Sequence, residues 1–134
     1  MTKERRDEVL LVALVVSVAI HIALMFFVRS QVMTRANVAK TESAAAASLA
    51  LGKLESRAGE FDRADATLKT AVSLNTTDAR ARADAYLSLA RNAGAKGDWK
   101  SAVAYATVVT SLFDDAEFCA EAKKILEEHP EAAQ

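Results

Sequence analysis

The chain has 134 residues, and its 17 Lys and Arg nearly balance its 18 Asp and Glu, which leaves a net charge of −1. This length allows one membrane segment and one small domain, and the near-zero charge argues against a protein that binds nucleic acid through bulk electrostatics. Cys119 is the only cysteine, which excludes an intrachain disulfide. Its place in an apolar helical pattern favours a buried, inert thiol over a nucleophile.

Twenty residues without formal charge, residues 9–28, follow a short charged cap at residues 1–8. A helix of this length crosses a hydrocarbon core about 30 Å thick, so the run predicts a transmembrane helix. The run is longer than the roughly 7–15 apolar residues of a cleaved signal peptide, and no clean small-residue cleavage site follows it. We therefore favour an uncleaved signal anchor over a cleaved signal peptide.

Basic residues flank this run on both sides, three Lys or Arg before it and three after it. The positive-inside count is therefore a tie, and the tight cluster between Lys3 and Arg6 favours an N-terminus that stays inside. With this orientation, the chain after the span of a single-pass protein lies outside the cytoplasm. We favour the bacterial inner membrane as its location, which would place that part of the chain in the periplasm.

Two polar side chains lie within the apolar run, Ser17 and His21, four residues apart on one helical face. An ionisable residue in the middle of a span is costly and marks a candidate functional site. This Ser-x-x-x-His spacing in an N-terminal anchor resembles the transmembrane segment of the TonB energy transducers. The resemblance implies that Ser17 and His21 face a proton-driven complex of the ExbB–ExbD type. The alternative is an ordinary anchor whose polar pair packs against another helix or is tolerated.

The rest of the chain has a helical pattern throughout. Residues 29–40 contain no Gly or Pro, which predicts a helical extension of the span. From Thr41 on, apolar residues recur with a helical period, and no segment alternates with period two. The predicted fold class is therefore all-α. The predicted helices cover residues 44–58, 62–75, 79–93, 98–113 and 116–129, and a short tail follows at residues 130–134.

An apolar stripe in the first of these helices is predicted to face the core. It consists of Ala47, Leu51, Leu54 and Ala58, at spacings of four, three and four residues. The N-terminal side of this helix has no partner within the predicted domain. We expect the extension at residues 29–40, a second copy of the chain or another protein to cover that side.

Two breaks between helices repeat a motif: GEFDRA at residues 59–64 matches GDWKSA at residues 97–102, an offset of 38 residues. The pattern resembles the tetratricopeptide repeat (TPR), in which Gly ends the first helix of a hairpin and an aromatic residue fills the wedge before the second. The resemblance implies one transmembrane helix followed by a small antiparallel helix-hairpin solenoid. Two repeats and a capping helix would occupy residues 41–129.

The TPR resemblance also implies a groove lined by the first helix of each repeat. Projected onto this sequence, the groove residues are Lys53, Arg57, Asp84, Leu87 and Arg91. Three cations at one surface can hold a carboxylate or an acidic peptide. The alternative is a solvated charged face without a ligand.

Little in the sequence indicates an enzyme. It shows no His/Cys cluster with metal-ligand spacing and no phosphate-binding glycine loop, so we predict no catalytic residues, metal or cofactor. We favour a membrane-anchored, TPR-like scaffold subunit that binds protein partners and the lipid bilayer but no nucleic acid, with a homo-oligomer left open. The alternatives are an atypical TonB-like energy-transducing subunit and an accessory subunit of a membrane protein-export complex.

Overall fold

The computed structural model describes residues 3–74 and 76–133, and at residues 3–11 and 133 it describes the backbone alone. The side chains of the predicted charged cap and of residues 9–11 therefore lie outside the described part, as do Asn75 and Gln134. The described chain is all-helical and contains no strand, as predicted. Its elements are α1 (Lys3–Arg57), α2 (Phe61–Ser73), α3 (Ala79–Ala95), α4 (Trp99–Leu112), α5 (Ala116–Glu128) and a short 3-10 helix (Pro130–Ala133).

The chain divides into two compact units, Met1–Val38 and Ala39–Gln134. In the first unit, every described residue belongs to α1, which therefore continues through residues 29–38 without a break. The apolar part of α1 is long and apolar enough to cross a membrane, with a mean hydropathy of 2.3 and none of it buried. Its large side chains are exposed on all sides, which is the surface that a helix presents to lipid.

Most of the core of the second unit comes from α2 to α5, and α1 adds Ala45. Helix α3 contacts α2, α4 and α5, and α4 also contacts α5. Small side chains let these helices approach closely, since Ala90, Ala106 and Ala122 are fully buried beside Leu87 and Val109. Tyr86, Tyr105, Phe118, Cys119, Ile125 and Leu126 are half-buried around this cluster.

The two breaks that match in sequence have the same backbone. Gly59 and Gly97 both have a φ of 78°, a left-handed conformation that costs glycine little. The next amide bonds back to the carbonyl five residues earlier in both turns: Glu60 to Glu55 and Asp98 to Ala93, each at 2.9 Å. This six-to-one bond with a left-handed glycine is the Schellman end of a helix.

The predicted core stripe of the first helix is wrong. The side chains of Leu51 and Leu54 are 50% and 59% exposed, and Ala47 and Ala58 are exposed as well. The stripe therefore faces away from the other helices of the second unit.

The opposite side of α1 is buried because a glycine permits closer packing there than a leucine would. Ala45 and Glu55 are buried on this side, and Gly52 lies against α2. A Cβ atom at Gly52 would come within 2.7 Å of the Leu68 Cγ atom, so no larger side chain fits without a shift.

The C-terminal segment packs on α4 through an aromatic stack. The rings of Trp99 and His129 lie 3.6 Å apart, centroid to centroid, with 17° between their planes. Cys119 is half-buried, and its thiol donates to the main-chain carbonyl of Phe113 at 3.2 Å. This environment agrees with a structural role for the thiol.

A lysine at the end of α3 pairs with two carboxylates of α2. Lys96 Nζ donates to Asp62 Oδ1 at 2.8 Å and to Asp65 Oδ2 at 2.9 Å. The hydrogen bond from Lys96, together with its charge, lowers the pKa of Asp62 below its ordinary value of 3.8. The hydrogen bonds that Lys96 donates to Asp62 and Asp65 raise the pKa of Lys96 above its ordinary value of 10.5.

This pairing predicts a dependence of stability on pH. Since the pKa of Asp62 is lower in the folded chain, its contribution is present above pH 3.8 and is lost as the pH falls through the folded value. The contribution of Lys96 has the opposite sign: it is present below pH 10.5 and lost as the pH rises through the folded value. We expect Asp62→Asn to flatten the acid limb, which is the fall of the unfolding temperature as the pH decreases. Trp99 fluorescence of the full chain in micelles measures this thermal unfolding.

Glu127→Gln, which removes an exposed carboxylate of α5, is the matched control and should leave the acid limb unchanged. An acid limb of the same steepness in Asp62→Asn and wild type would contradict the assignment.

Candidate functional site: a cationic groove

A small cavity between α1 and α3 gathers three of the five predicted groove residues. It has a volume of about 180 Å³. Lys53, Ser56 and Arg57 of α1 line it on one side, and Ser88 and Arg91 of α3 on the other. We call this cavity the cationic groove. It lies entirely within the second unit.

Two hydrogen bonds between α1 and α3 hold the groove. Lys53 Nζ donates to Asp84 Oδ2 at 2.5 Å, and the Ser56 hydroxyl donates to Asn92 Oδ1 at 2.6 Å. Asp84, Ser88 and Asn92 follow one another at spacings of four residues and so share a face of α3. The two bonds fix the position of Lys53 and Ser56 against that face.

Asn92 connects the groove to α2 as well. Its side chain is 1% exposed, and its Nδ2 amide donates to the main-chain carbonyl of Phe61 at 2.8 Å and to Asp65 Oδ1 at 2.7 Å. Both donors and the carbonyl oxygen of this one side chain are therefore in use. The amide joins α1, α2 and α3 at a single buried point.

The three cations of the groove differ in their pairing. Lys53 forms an ion pair with Asp84, and Arg91 forms one with Glu121 of α5. Arg57 is exposed and forms no ion pair with any residue that the structure describes. The groove therefore carries one uncompensated positive charge, on a guanidinium whose planar fork matches a carboxylate.

Two predicted groove residues have other positions. Asp84 lies beside the groove as the partner of Lys53. Leu87 is fully buried in the core cluster, so its prediction as a groove residue is wrong. The next residue, Ser88, is rotated by about 100° around the helix axis and takes the groove position.

The polar pair of the first unit forms a bond within α1. His21 Nδ1 donates to the main-chain carbonyl of Ser17 at 2.8 Å, and both side chains are exposed. The ring therefore uses the carbonyl of Ser17 and not its hydroxyl. Because a carbonyl only accepts, Nδ1 carries a proton in this bond, and in the neutral form of the ring Nε2 is then the acceptor.

Sequence reasoning missed Ser56, Ser88 and Asn92, which shape the groove. The signal for Ser88 and Asn92 was available in α3, where they form a polar stripe with Asp84 among alanines and leucines. As for metals, no group of three or more His, Cys, Asp or Glu side chains comes together in the described part of the chain.

Comparison with known proteins finds no match to this chain among protein-family models, curated proteins or solved structures. The resemblances to tetratricopeptide repeats and to TonB anchors therefore stay predictions, based on the motifs quoted above. A functional proposal must rest on the geometry of the groove and of α1.

The junction at Asn92 predicts a large loss of stability in Asn92→Ala. The substitution leaves the Phe61 carbonyl, the Ser56 hydroxyl and Asp65 without this partner, and unsatisfied buried groups cost about 1–3 kcal/mol each. We expect the free energy of unfolding in urea to fall by about 2–4 kcal/mol. Ser111→Ala, on the exposed surface of α4, should change it by less than about 0.5 kcal/mol. An Asn92→Ala protein as stable as that control would show that the junction contributes little.

Proposed function

We propose that this protein is a membrane-anchored binding module and not an enzyme. In this proposal α1 is an uncleaved signal anchor in the bacterial inner membrane. The unit Ala39–Gln134 is a TPR-like solenoid in the periplasm that binds an acidic segment of a partner protein. The observation that carries the proposal is the convergence of Lys53, Arg57 and Arg91 on one cavity, with Arg57 uncompensated.

The size of the cationic groove indicates what it binds. Its volume of about 180 Å³ is below the roughly 300–1,000 Å³ of pockets that enclose a small-molecule ligand. A single carboxylate group fits this scale, as the side chain of Asp or Glu or as the end of a chain. Arg57 has no ion pair among the described residues, so its guanidinium can bind a carboxylate of a partner without breaking a bond within the chain. We therefore take Arg57 as the primary contact.

Two further observations support the architecture in this proposal. The turns at Gly59 and Gly97 share one backbone conformation and one six-to-one bond, as repeated hairpins require. The apolar part of α1 is exposed on all sides. Contact of such a surface with lipid costs no free energy, whereas its exposure to water does.

The groove predicts that Arg57 determines the binding of acidic peptides. We expect Arg57→Ala to weaken the affinity of the full chain in nanodiscs for a short oligoglutamate peptide by about tenfold, since a charged hydrogen bond contributes about 1.5–3 kcal/mol. Fluorescence anisotropy of the labelled peptide measures this affinity.

Lys69→Ala is the matched control because Lys69 is an exposed cation of α2 outside the groove. It removes the same charge, so it should reduce the affinity by less than about twofold at physiological salt, where charges beyond the roughly 8 Å screening length act weakly. Equal losses in the two variants would indicate a solvated charged face and would contradict a specific groove.

A second candidate function, an atypical TonB-like energy-transducing subunit, draws support from His21. The bond from Nδ1 to Ser17 leaves Nε2 as an acceptor on the surface of an apolar helix. In a bilayer no water is present to satisfy this acceptor, and a donor on another helix would do so. We therefore propose, as the alternative, that this face of α1 meets a complex of the ExbB–ExbD type.

The alternative predicts a specific contact at the Ser17 face. A photocrosslinker at position 17 in native membranes should capture a membrane partner, and one at Ala19, about 200° around the helix, should not. His21→Leu should abolish the product at position 17 while the protein remains inserted. A crosslinking pattern that is unchanged by His21→Leu would contradict this alternative and would indicate that α1 acts only as an anchor.

A further inference from the structure

Ser88 lines the cationic groove from α3, and only 6% of the residue is exposed. In the described part of the chain its hydroxyl has one hydrogen-bond partner, Asp84 Oδ1, at 3.5 Å. Hydrogen bonds between a hydroxyl and an oxygen are normally about 2.5–3.0 Å long. The hydroxyl of Ser88 is therefore a buried donor that the fold itself hardly uses, and such a donor costs free energy until it finds an acceptor.

This hydroxyl is also directed away from the partner that a helix offers. The hydroxyls of Thr70, Thr107 and Thr110 in α2 and α4 donate to the main-chain carbonyl four residues earlier, at 3.0, 2.8 and 3.3 Å. Ser and Thr commonly make this bond inside helices. Ser88 instead directs its hydroxyl towards the side chain of Asp84, beside the groove. Its donor is thus available to a group that enters the cavity.

The donors of the other groove residues differ in how far they are already used. Lys53, Ser56 and Arg91 each donate to a side chain of the same unit through a short bond. Arg57 is exposed and forms no ion pair with any described residue. Among the five side chains that line the groove, Arg57 and Ser88 are therefore the two that can donate to a ligand without giving up a short bond.

We propose that Ser88 is a ligand-binding residue of the cationic groove, whose hydroxyl donates to one oxygen of a bound carboxylate while Arg57 donates to the other. A carboxylate has two acceptor oxygens, and the two donors lie on opposite sides of the cavity, Arg57 on α1 and Ser88 on α3. The charge of the neighbouring Asp84 is compensated, since Lys53 Nζ lies 2.5 Å from its Oδ2 atom. The role of Ser88 rests on the proposed function and gives the groove a second contact that fixes the orientation of the carboxylate.

Removal of the hydroxyl tests this role. Ser88→Ala keeps the helix, since alanine is the strongest helix former. We expect the affinity of the full chain in nanodiscs for the labelled oligoglutamate peptide to fall by about threefold to tenfold, which corresponds to the loss of one hydrogen bond. Because the internal bond of the hydroxyl is long, the urea concentration at half-unfolding should stay at or above the wild-type value. A lower midpoint would show that the hydroxyl serves the fold and would overturn the assignment.

Ser111→Ala is the matched control, because Ser111 is an exposed serine of α4 outside the groove. It removes the same hydroxyl group and should leave the affinity for the peptide unchanged. Equal affinities of Ser88→Ala and Ser111→Ala would count against any contact between Ser88 and the ligand and would overturn the assignment.

A double-mutant cycle tests whether Arg57 and Ser88 hold the same carboxylate. If they do, the loss of affinity in Arg57→Ala/Ser88→Ala is smaller than the product of the two single losses, because a carboxylate released by Arg57 no longer stays in position for Ser88. Single losses that multiply in the double variant would place the two residues on different groups of the peptide and would overturn the shared carboxylate.

The salt dependence of binding gives a second readout, which a merely structural role of Ser88 does not predict. Added salt should weaken binding to wild type and to Ser88→Ala by the same factor and to Arg57→Ala by less, because screening acts on the guanidinium charge and not on the hydroxyl. An equally reduced salt dependence in the two variants would contradict the role of Ser88 as a neutral donor.

These outcomes separate the role of Ser88 from the proposed function. Equal losses of affinity in Arg57→Ala and Lys69→Ala overturn the cationic groove and the role of Ser88 with it. A loss in Arg57→Ala without a loss in Ser88→Ala overturns the role of Ser88 alone.

Discussion

The contact between Gly52 and Leu68 determines which side of the C-terminal part of α1 faces the other helices of the second unit. With Gly52 turned towards α2, the residues beside it take fixed directions around the helix: Lys53 and Ser56 reach α3, and Leu51 and Leu54 point outward. The groove and the exposed side of α1 with Leu51 and Leu54 thus follow from one orientation of one helix. A larger residue at position 52 would change both surfaces together, because the close approach leaves no room for a Cβ atom.

Polar side chains hold α1, α2 and α3 together where Gly52 lets α1 and α2 pack closely, and the burial of one of them, Glu55, costs free energy. Glu55 is 7% exposed, and its Oε1 atom lies 3.3 Å from a guanidinium nitrogen of Arg63. Its Oε2 atom is buried and has no hydrogen-bond partner among the residues that the structure describes. A buried carboxylate that is only partly satisfied contributes little stability and often reduces it. Asn92 lies at the same junction, but both donors and the carbonyl oxygen of its side chain are hydrogen-bonded. Asn92 therefore stabilises this arrangement of α1, α2 and α3, and Glu55 contributes little to its stability.

The sequence allowed the helices to be predicted well because their ends have local causes. Gly59 and Gly97 stop α1 and α3 by adopting a left-handed backbone, and Asp78 caps α3 by accepting from the amide of Ala81. In α2 and α4 the apolar stripe and the core side coincide, since Ala64, Leu68, Ala102, Ala106 and Val109 are all buried.

The orientation of α1 had no such local cause. Its apolar stripe shows that a surface needs covering, but the period does not tell whether the same chain or another molecule covers it. The side that packs is made of Ala45, Gly52 and Glu55, which a hydropathy pattern does not mark as a core. The error at Leu87 has a related origin: repeat positions were carried over by analogy, and one residue of offset moves a side chain from groove to core. The cationic groove was therefore predicted in its charges but not in its serines or in Asn92.

The matching turns at Gly59 and Gly97 also bear on how such a chain can grow. The segment between them starts and ends at the same backbone conformation, 38 residues apart. A duplication of that segment would join through a turn that the chain already forms, without a new connection. Gene duplication could therefore lengthen the second unit by whole helical hairpins, each joined through the same left-handed glycine turn, with α1 before them and the Trp99–His129 stack after them.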